Sequence, residues 1–181
     1  MRTTARLRQA HAEIEAVNSK LTELVRTDTL TGIANRLKID EGLNLELARF
    51  DRTHEPFSVI LLDIDHFKLV NDNYGHHIGD QILQSIADIL KQNIRAYDLA
   101  GRWAGEEFLV ICPSTTHDGI SSLAEHLRLA IMNNIPESLP SQTASFGVAT
   151  VQPGDSVEDL IRRADEALYR AKKGGRNRVE S

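Results

Sequence analysis

Cysteine is nearly absent: Cys112 is the only one in 181 residues. That excludes an internal disulfide framework and a cysteine-built zinc site. Its setting, Phe108-Leu109-Val110-Ile111-Cys112, predicts a buried and inert thiol. Long apolar runs are missing too, since the longest clean one, Val59 to Leu62, falls far short of the roughly 20 residues that span a bilayer. The stretch from Met1 to Lys20 lacks the apolar core of a signal peptide. There is no basic excess: 21 Lys and Arg against 26 Asp and Glu give a formal net charge of -5, which argues against bulk nucleic-acid binding. No Gly-x-x-x-x-Gly-Lys-Ser/Thr run occurs, so the chain is not a P-loop NTPase. The missing Gly-x-Gly-x-x-Gly and Gly-x-Ser-x-Gly count against a Rossmann site and an α/β-hydrolase. What is present, 41% hydrophobic and 26% charged residues, predicts a soluble, cytoplasmic globular chain of about one domain with a short appendage.

Residues 3–26 contain no Gly or Pro and carry a heptad. Leu7, Ile14 and Leu21 share one position, and Ala10, Val17 and Leu24 share the complementary one. Three heptads are marginal for an isolated helix, so the stripe needs a partner: the helix's own domain or a second helix. The seam is narrow and the rest of each turn is polar, which suits a coiled coil better than a broad core face. Residues 1–26 therefore predict a dimerising helical stalk, and its abrupt start predicts a fragment of a longer protein. Residues 27–181 mix helix and strand patterns. Helices are predicted over 35–51, over Asp80 to Ile94 with Ile82, Leu83, Ile86, Ile89 and Leu90 on one stripe, over Thr116 to Asn133, and from Ser156 to the Gly174-Gly175 pair. Asp159, three residues after Ser156, predicts a capping box. Strands are predicted over Phe57 to Asp63, Leu99 to Trp103, Glu107 to Cys112 and Thr143 to Thr150, the middle two forming a hairpin around Ala104-Gly105-Glu106. One hairpin among βα units implies a mixed sheet with helices on its faces, an α/β or α+β domain.

The chemistry gathers at strand ends. Val59-Ile60-Leu61-Leu62 runs straight into Asp63-Ile64-Asp65, and carboxylates there are costly to desolvate unless a cation compensates them. A hard divalent ion that shares substrate phosphates is the natural candidate. The hairpin turn adds Glu106 and Glu107, so four acids on two strand ends can converge. Phe67 to Asp80 reads as a loop dense in Asn, Asp, Gly and His, able to read a polar heterocycle such as guanine, whose N1 and N2 donors match a carboxylate. Lys172, Lys173, Arg176 and Arg178 cluster at a helix C-terminus, either as complements of the helix dipole or as phosphate ligands.

Taken in order, these segments resemble a GGDEF domain of the diguanylate cyclase family. The resemblance runs over residues 28–177: Asp28-Thr29-Leu30-Thr31-Gly32-Ile33-Ala34-Asn35-Arg36, Asp63-Ile64-Asp65-His66-Phe67-Lys68, Asn71-Asp72, Gly75-His76, Gly79-Asp80, Arg102-Trp103-Ala104-Gly105-Glu106-Glu107-Phe108, and Ala164-Asp165-Glu166-Ala167-Leu168-Tyr169 through Gly175-Arg176-Asn177. It implies a five-stranded mixed sheet like the palm of nucleotidyl cyclases and polymerases. It implies condensation of two GTP into cyclic di-GMP across a homodimer, with Mg²⁺, or Mn²⁺ in its place. Carried over by residue, the resemblance makes Asp63, the Ile64 carbonyl and Glu106 metal ligands, with Glu107 assisting and Glu106 also the base for the 3′-hydroxyl. Lys68 is expected on the triphosphate, Asn71, His76 and Asp80 around guanine, and Lys172 and Arg176 on the terminal phosphates. Gly105 is expected where backbone approaches the nucleotide, and Arg95 with Asp98 as an inhibitory product site. A guanidinium fork and a carboxylate suit guanine edges, although the same pair can be a surface ion pair. The signature itself departs from the family pattern, with Ala104 at its first glycine. If that position requires φ > 0, Ala costs about 1 kcal/mol there, and a sensor that binds nucleotide without turnover is the rival reading.

Overall fold

The computed structural model describes residues 2–181, and the side chains of residues 8–21 and 25–181. Helix α1 spans Arg2–Arg26. After it come α2 (Arg36–Thr53), β1 (Ser58–Ile64), α3 (Phe67–Tyr74), α4 (His76–Asn93), β2 (Leu99–Ala104), β3 (Glu107–Cys112), α5 (His117–Asn134), β4 (Ala144–Thr150), α6 (Val157–Lys173) and β5 (Val179–Glu180). The five strands form one mixed sheet in the order β2-β3-β1-β4-β5, antiparallel throughout except for the parallel β4–β5 pair.

β1 lies at the centre and is buried along its whole length, as its uninterrupted apolar run predicts. Its alternation sorts two cores. Ile60, Leu62 and Ile64 meet Ile82, Ile86 and Leu90 of α4 and Ile120, Leu127 and Ile131 of α5. Val59 and Leu61 on the other face meet Ile39, Leu43 and Phe50 of α2 and Leu160, Ala164 and Leu168 of α6. The period of two along β1 thus decides which helices each residue sees. Odd-numbered Asp63 faces the α6 side for the same reason.

The helix ends follow local chemistry. Asn35 caps α2 by accepting the Lys38 N–H at 3.1 Å. Ser156 and Asp159 complete the capping box of α6, with the Asp159 N–H on Ser156 Oγ at 3.1 Å and the Ser156 N–H on the Asp159 carboxylate at 3.0 Å. The loop expected over 67–80 is instead two helices, α3 and the first turn of α4. They meet at Gly75, whose φ of 86° stops α3 while its N–H bonds the Asn71 carbonyl at 2.9 Å. Phe67 and Val70 supply too short an apolar stripe for a single turn-rich octapeptide to read as helical. β5 has two residues, below what pattern alone detects.

α1 is tied to the domain at its C-terminal end. Arg26 grips Glu41 with two bonds of 2.8 and 3.0 Å, and the Asn35 N–H reaches the Arg26 carbonyl at 2.9 Å. Every residue from 8 to 21 is exposed, including Ile14 (59%), Val17 (57%) and Leu21 (53%), so the stripe does not pack on its own domain. Leu7 and Leu24 of the heptad lie outside the described side chains. Among the described residues no helix is long and apolar enough to cross a membrane.

The sheet and α6 touch most closely at Gly147, where an added Cβ would overlap the Ala164 carbonyl and the Leu168 N–H. Both are helix backbone and cannot yield. Gly147→Ala is therefore expected to cost about 2–3 kcal/mol in urea denaturation, and an unchanged midpoint would contradict this packing.

Candidate active site

Two strand ends meet above the centre of the sheet. Asp63 on β1 pairs in register with Glu107 on β3, and the Ile64 N–H reaches the Glu106 carbonyl at 3.3 Å, which locks the hairpin turn to the end of β1. Asp63 is 9% exposed. Among the described residues its cation is Lys172, in the last turn of α6, whose Nζ stands 2.9 Å from Asp63 Oδ2. Burial pushes the Asp63 carboxyl above its ordinary range; Lys172 opposes that shift, and Glu106 and Asp65 add to it. Glu107 is raised as well, by burial first and then by Asp63. The site is thus an excess of negative charge held with partial compensation.

The fourth acid does not belong to it. Asp65 is 6% exposed and fully used: Ser145 Oγ and Thr143 Oγ1 each donate at 2.7 Å, and the Asn177 N–H donates at 3.0 Å. It is a structural carboxylate. Among the described residues, no three His, Cys, Asp or Glu side chains stand together as a self-sufficient metal cage. Asp63, Glu106 and the Ile64 carbonyl are a hard-oxygen set that fits Mg²⁺ when phosphate oxygens complete the shell. The position of the Lys172 ammonium marks where a cation is favoured.

On the α4 side of the turn a cleft of about 420 Å³ is lined by Phe67, Lys68, Asn71, His76, Asp80, Leu83, Arg102, Gly105 and Glu106. All the residues expected around guanine and the triphosphate, apart from the α6 end, line this one wall. Lys68, His76 and Asp80 make no side-chain hydrogen bond or ion pair among the described residues, nor does the Asn71 amide, so their polar groups are uncommitted. Asn71 lies directly against Gly79, where any Cβ would overlap its Oδ1. At Gly105 a Cβ would touch nothing within 4 Å, so what glycine keeps open there is cleft space. Ala104 does not have positive φ, so it carries none of the left-handed backbone strain, and what its methyl group can still do is crowd the turn. Arg176 lies outside the cleft, exposed and without a side-chain partner among the described residues.

Arg102 carried no role in the sequence reading, yet it braces the turn. Its Nε donates to the Gly105 carbonyl at 2.9 Å and its Nη1 lies 3.4 Å from Asp28 Oδ2. Asp28 also accepts from the Thr31 N–H at 2.9 Å and Thr31 Oγ1 at 2.6 Å. Burial opposes the charge on Asp28, but the Thr31 bonds and Arg102 hold its carboxyl below the usual range. A basic residue beside a hairpin of acids was the available signal.

Arg95 and Asp98 sit apart from the cleft, at the turn between α4 and β2. Asp98 Oδ2 accepts the Arg95 N–H at 2.8 Å, while Arg95 Nη1 donates to the Tyr97 hydroxyl at 3.0 Å. Asp98 Oδ1 is buried and has no hydrogen-bond partner among the described residues. Cys112 is buried as expected, and burial, reinforced by the charge of Asp98, pushes its thiol far above the ordinary range.

Acids on adjacent strand ends thus stand beside a cleft of uncommitted amide, carboxylate and ammonium groups. The chain belongs to the GGDEF family: residues 25–178 match the model described as diguanylate cyclase, GGDEF domain. It is 41% identical over 160 residues to the diguanylate cyclase DgcP of Pseudomonas aeruginosa, covering 85% of this chain and 23% of that protein. It is 38% identical over 171 residues to the diguanylate cyclase DgcM of Escherichia coli, covering 92% of this chain and 41% of that one. The chain thus spans well under half the length of these relatives. Among solved structures it is similar to the coiled coil and GGDEF domain of DgcB from Caulobacter crescentus in complex with c-di-GMP, at 33% identity and a TM-score of 0.86 over 99% of both chains.

The charge balance at Asp63 is testable without a ligand. Lys172→Met leaves the acids uncompensated and should lower stability at pH 8 by about 1 kcal/mol, a value discounted because the Lys172 side chain is 35% exposed. Carboxyl groups with raised folded-state pKa favour folding most when protonated, so the deficit opens as pH rises through those values. Thermal denaturation should show it closing toward pH 4; a deficit that is constant with pH would contradict the assignment.

Proposed function

We propose that the chain is the catalytic portion of a diguanylate cyclase, condensing two GTP into cyclic di-GMP and two pyrophosphates. The observation that carries this reading is the cleft in which Lys68, Asn71, His76, Asp80, Gly105 and Glu106 share one wall beside Asp63. Asn71 and Asp80 offer an amide and a carboxylate to guanine, and Asp80 accepts the paired N–H donors that adenine lacks. His76 lies in the same wall. Lys68 meets the charge of the triphosphate; exposed Arg176 meets its terminal phosphates, and Lys172 joins it once a bound metal relieves it of Asp63. Asp63, the Ile64 carbonyl and Glu106, with Glu107 assisting, hold Mg²⁺ or Mn²⁺. When bound, the metal supplies positive charge to the α-phosphate and the departing pyrophosphate.

Each subunit presents one GTP. Glu106 accepts the proton of the 3′-hydroxyl, the 3′-oxygen attacks the α-phosphorus of the partner's GTP, and the bond from that phosphorus to the pyrophosphate breaks. Two such transfers close the ring. Because half of the reacting groups come from the other subunit, bringing two cores together is a large part of catalysis. We assign that work to residues 1–26 as a stalk separate from the domain of residues 27–181, on the exposed Ile14, Val17 and Leu21 stripe. Arg95 and Asp98 form a product site at the turn between α4 and β2, where the exposed Arg95 fork suits guanine O6 and N7 and a carboxylate suits its N–H donors.

Three measurements test these assignments. Asp63→Asn and Glu106→Gln should each reduce cyclic di-GMP formation, followed by nucleotide chromatography with GTP and Mg²⁺, by at least about 100-fold with the fold intact. Near-normal turnover by either would remove the metal assignment. A double change, Ile14→Asp with Leu21→Asp, should make specific activity rise steeply with protein concentration, whereas activity independent of dilution would take the stalk out of the reaction. Arg95→Ala should leave the initial rate unchanged and raise accumulated product; retained tight cyclic di-GMP binding in calorimetry would show that Arg95 is only a surface residue.

A further inference from the structure

The chain leaves α6 through three successive residues in the left-handed region, Gly175 at φ 116°, Arg176 at 64° and Asn177 at 44°. Glycine enters that region freely and Asn readily, but Arg does so only when the surroundings hold it there. The holding contacts converge on Asn177. Its N–H donates to Asp65 Oδ2 at 3.0 Å, Arg128 Nη1 donates to its Oδ1 at 2.8 Å and to its carbonyl at 3.4 Å, and its Nδ2 reaches Met132 Sδ at 3.6 Å. Both supports are themselves fixed. Glu125 takes the other edge of the Arg128 guanidinium with bonds of 2.8 and 2.6 Å, and Thr143 and Ser145 donate to Asp65. Every polar group of Asn177 is therefore committed. The side chain of its neighbour Arg176 is exposed and commits nothing among the described residues.

We infer that Asn177, gripped by Asp65 and Arg128, is a positioning residue that sets the reach of Arg176 toward the terminal phosphates of the nucleotide. The inference rests on the reading of Arg176 as a phosphate contact given above. It gives the second acid of Asp63-Ile64-Asp65 a role: the strand end that supplies the metal ligand also anchors, two residues on, the loop that supplies a phosphate contact. Arg128, half the sheet away in sequence, belongs to the same device.

The test separates phosphate contact from guanine contact in the full chain. Calorimetry with Mg²⁺ compares guanosine 5′-(α,β-methylene)triphosphate, which resists turnover, with GMP, which lacks the terminal phosphates. Arg176→Ala and Arg128→Gln are each expected to weaken the triphosphate analogue about fivefold or more, the effect of a lost charge-assisted contact, and to leave GMP affinity unchanged. Asn177→Gly tolerates the positive φ and so keeps the fold; it should show the same selective loss. Arg128→Lys, which retains one donor for Asn177, should recover part of the affinity. If Arg128→Gln and Asn177→Gly bind the analogue like the parent chain while Arg176→Ala does not, the positioning role is overturned. A parallel loss of GMP affinity also overturns it, because that marks a general structural defect. If Arg176→Ala itself binds normally, the phosphate reading of Arg176 fails instead, and the positioning role with it.

Discussion

A carboxylate buried at the end of a central strand needs a cation, and the site is arranged around that need. Asp63 cannot be solvated where β1 leaves it, between two antiparallel neighbours and under α6. Lys172 meets the charge at 2.9 Å, but Glu106 and Glu107 restore the excess. A structure that kept these acids for stability would have paired each of them. The balance left unfinished favours a further positive charge, as the proposed divalent cation with its phosphate ligands would supply.

The sheet divides the remaining work. Because side chains alternate along β1, Asp63 and its register partner Glu107 face α6, whereas the cleft opens on the side of α3 and α4. Glu106, in the turn between β2 and β3, belongs to both: it lines the cleft and its charge is felt at Asp63. The turn can serve both sides only if it is held still. The Ile64 N–H grips it from β1, and Arg102 grips the Gly105 carbonyl from β2 while bound to Asp28. Asp28 lies two residues past the end of α1, so the segment that ends the N-terminal helix also braces the turn between β2 and β3.

Much of this was legible in the sequence because strong local rules agreed. The apolar run of β1 ending in acids, the hairpin, the stripe of α4 and the Ser156–Asp159 box all stand where pattern and capping chemistry predict them. Glu107 pairs in register with Asp63 and the charge of Glu106 is felt there, as their placement on strand ends implied, without the three standing together as a cage. Three things were not legible, each for a physical reason. Phe67 to Asp80 looked like a loop because Asn, Asp and Gly favour turns, yet packing of Phe67 and Val70 onto the core makes it helical. Asp65 looked like a ligand because the strand period puts it on the same side as Asp63, and only the tertiary donors Ser145, Thr143 and Asn177 show it to be spent. Arg102 and Arg128 act across long sequence separations, and no short motif carries that information.

The contrast between committed and uncommitted polar groups separates framework from site. Asp28, Asp65, Arg102, Arg128 and Asn177 spend their hydrogen-bonding capacity inside the protein, and three of them stand close to a residue of the candidate site. Asp65 follows Asp63 by two, Asn177 follows Arg176, and Arg102 holds the turn that presents Glu106. Lys68, Asn71, His76 and Asp80 present free donors and acceptors to one cleft on helices whose apolar faces are buried in the core. Rigid support directly behind unsatisfied groups is the arrangement that costs least to reorganise when a ligand arrives, because the polar groups need not be torn from other partners. Ala104 stands outside both groups: it is exposed, has no positive φ and does not line the cleft, whereas Gly105 and Glu106 do.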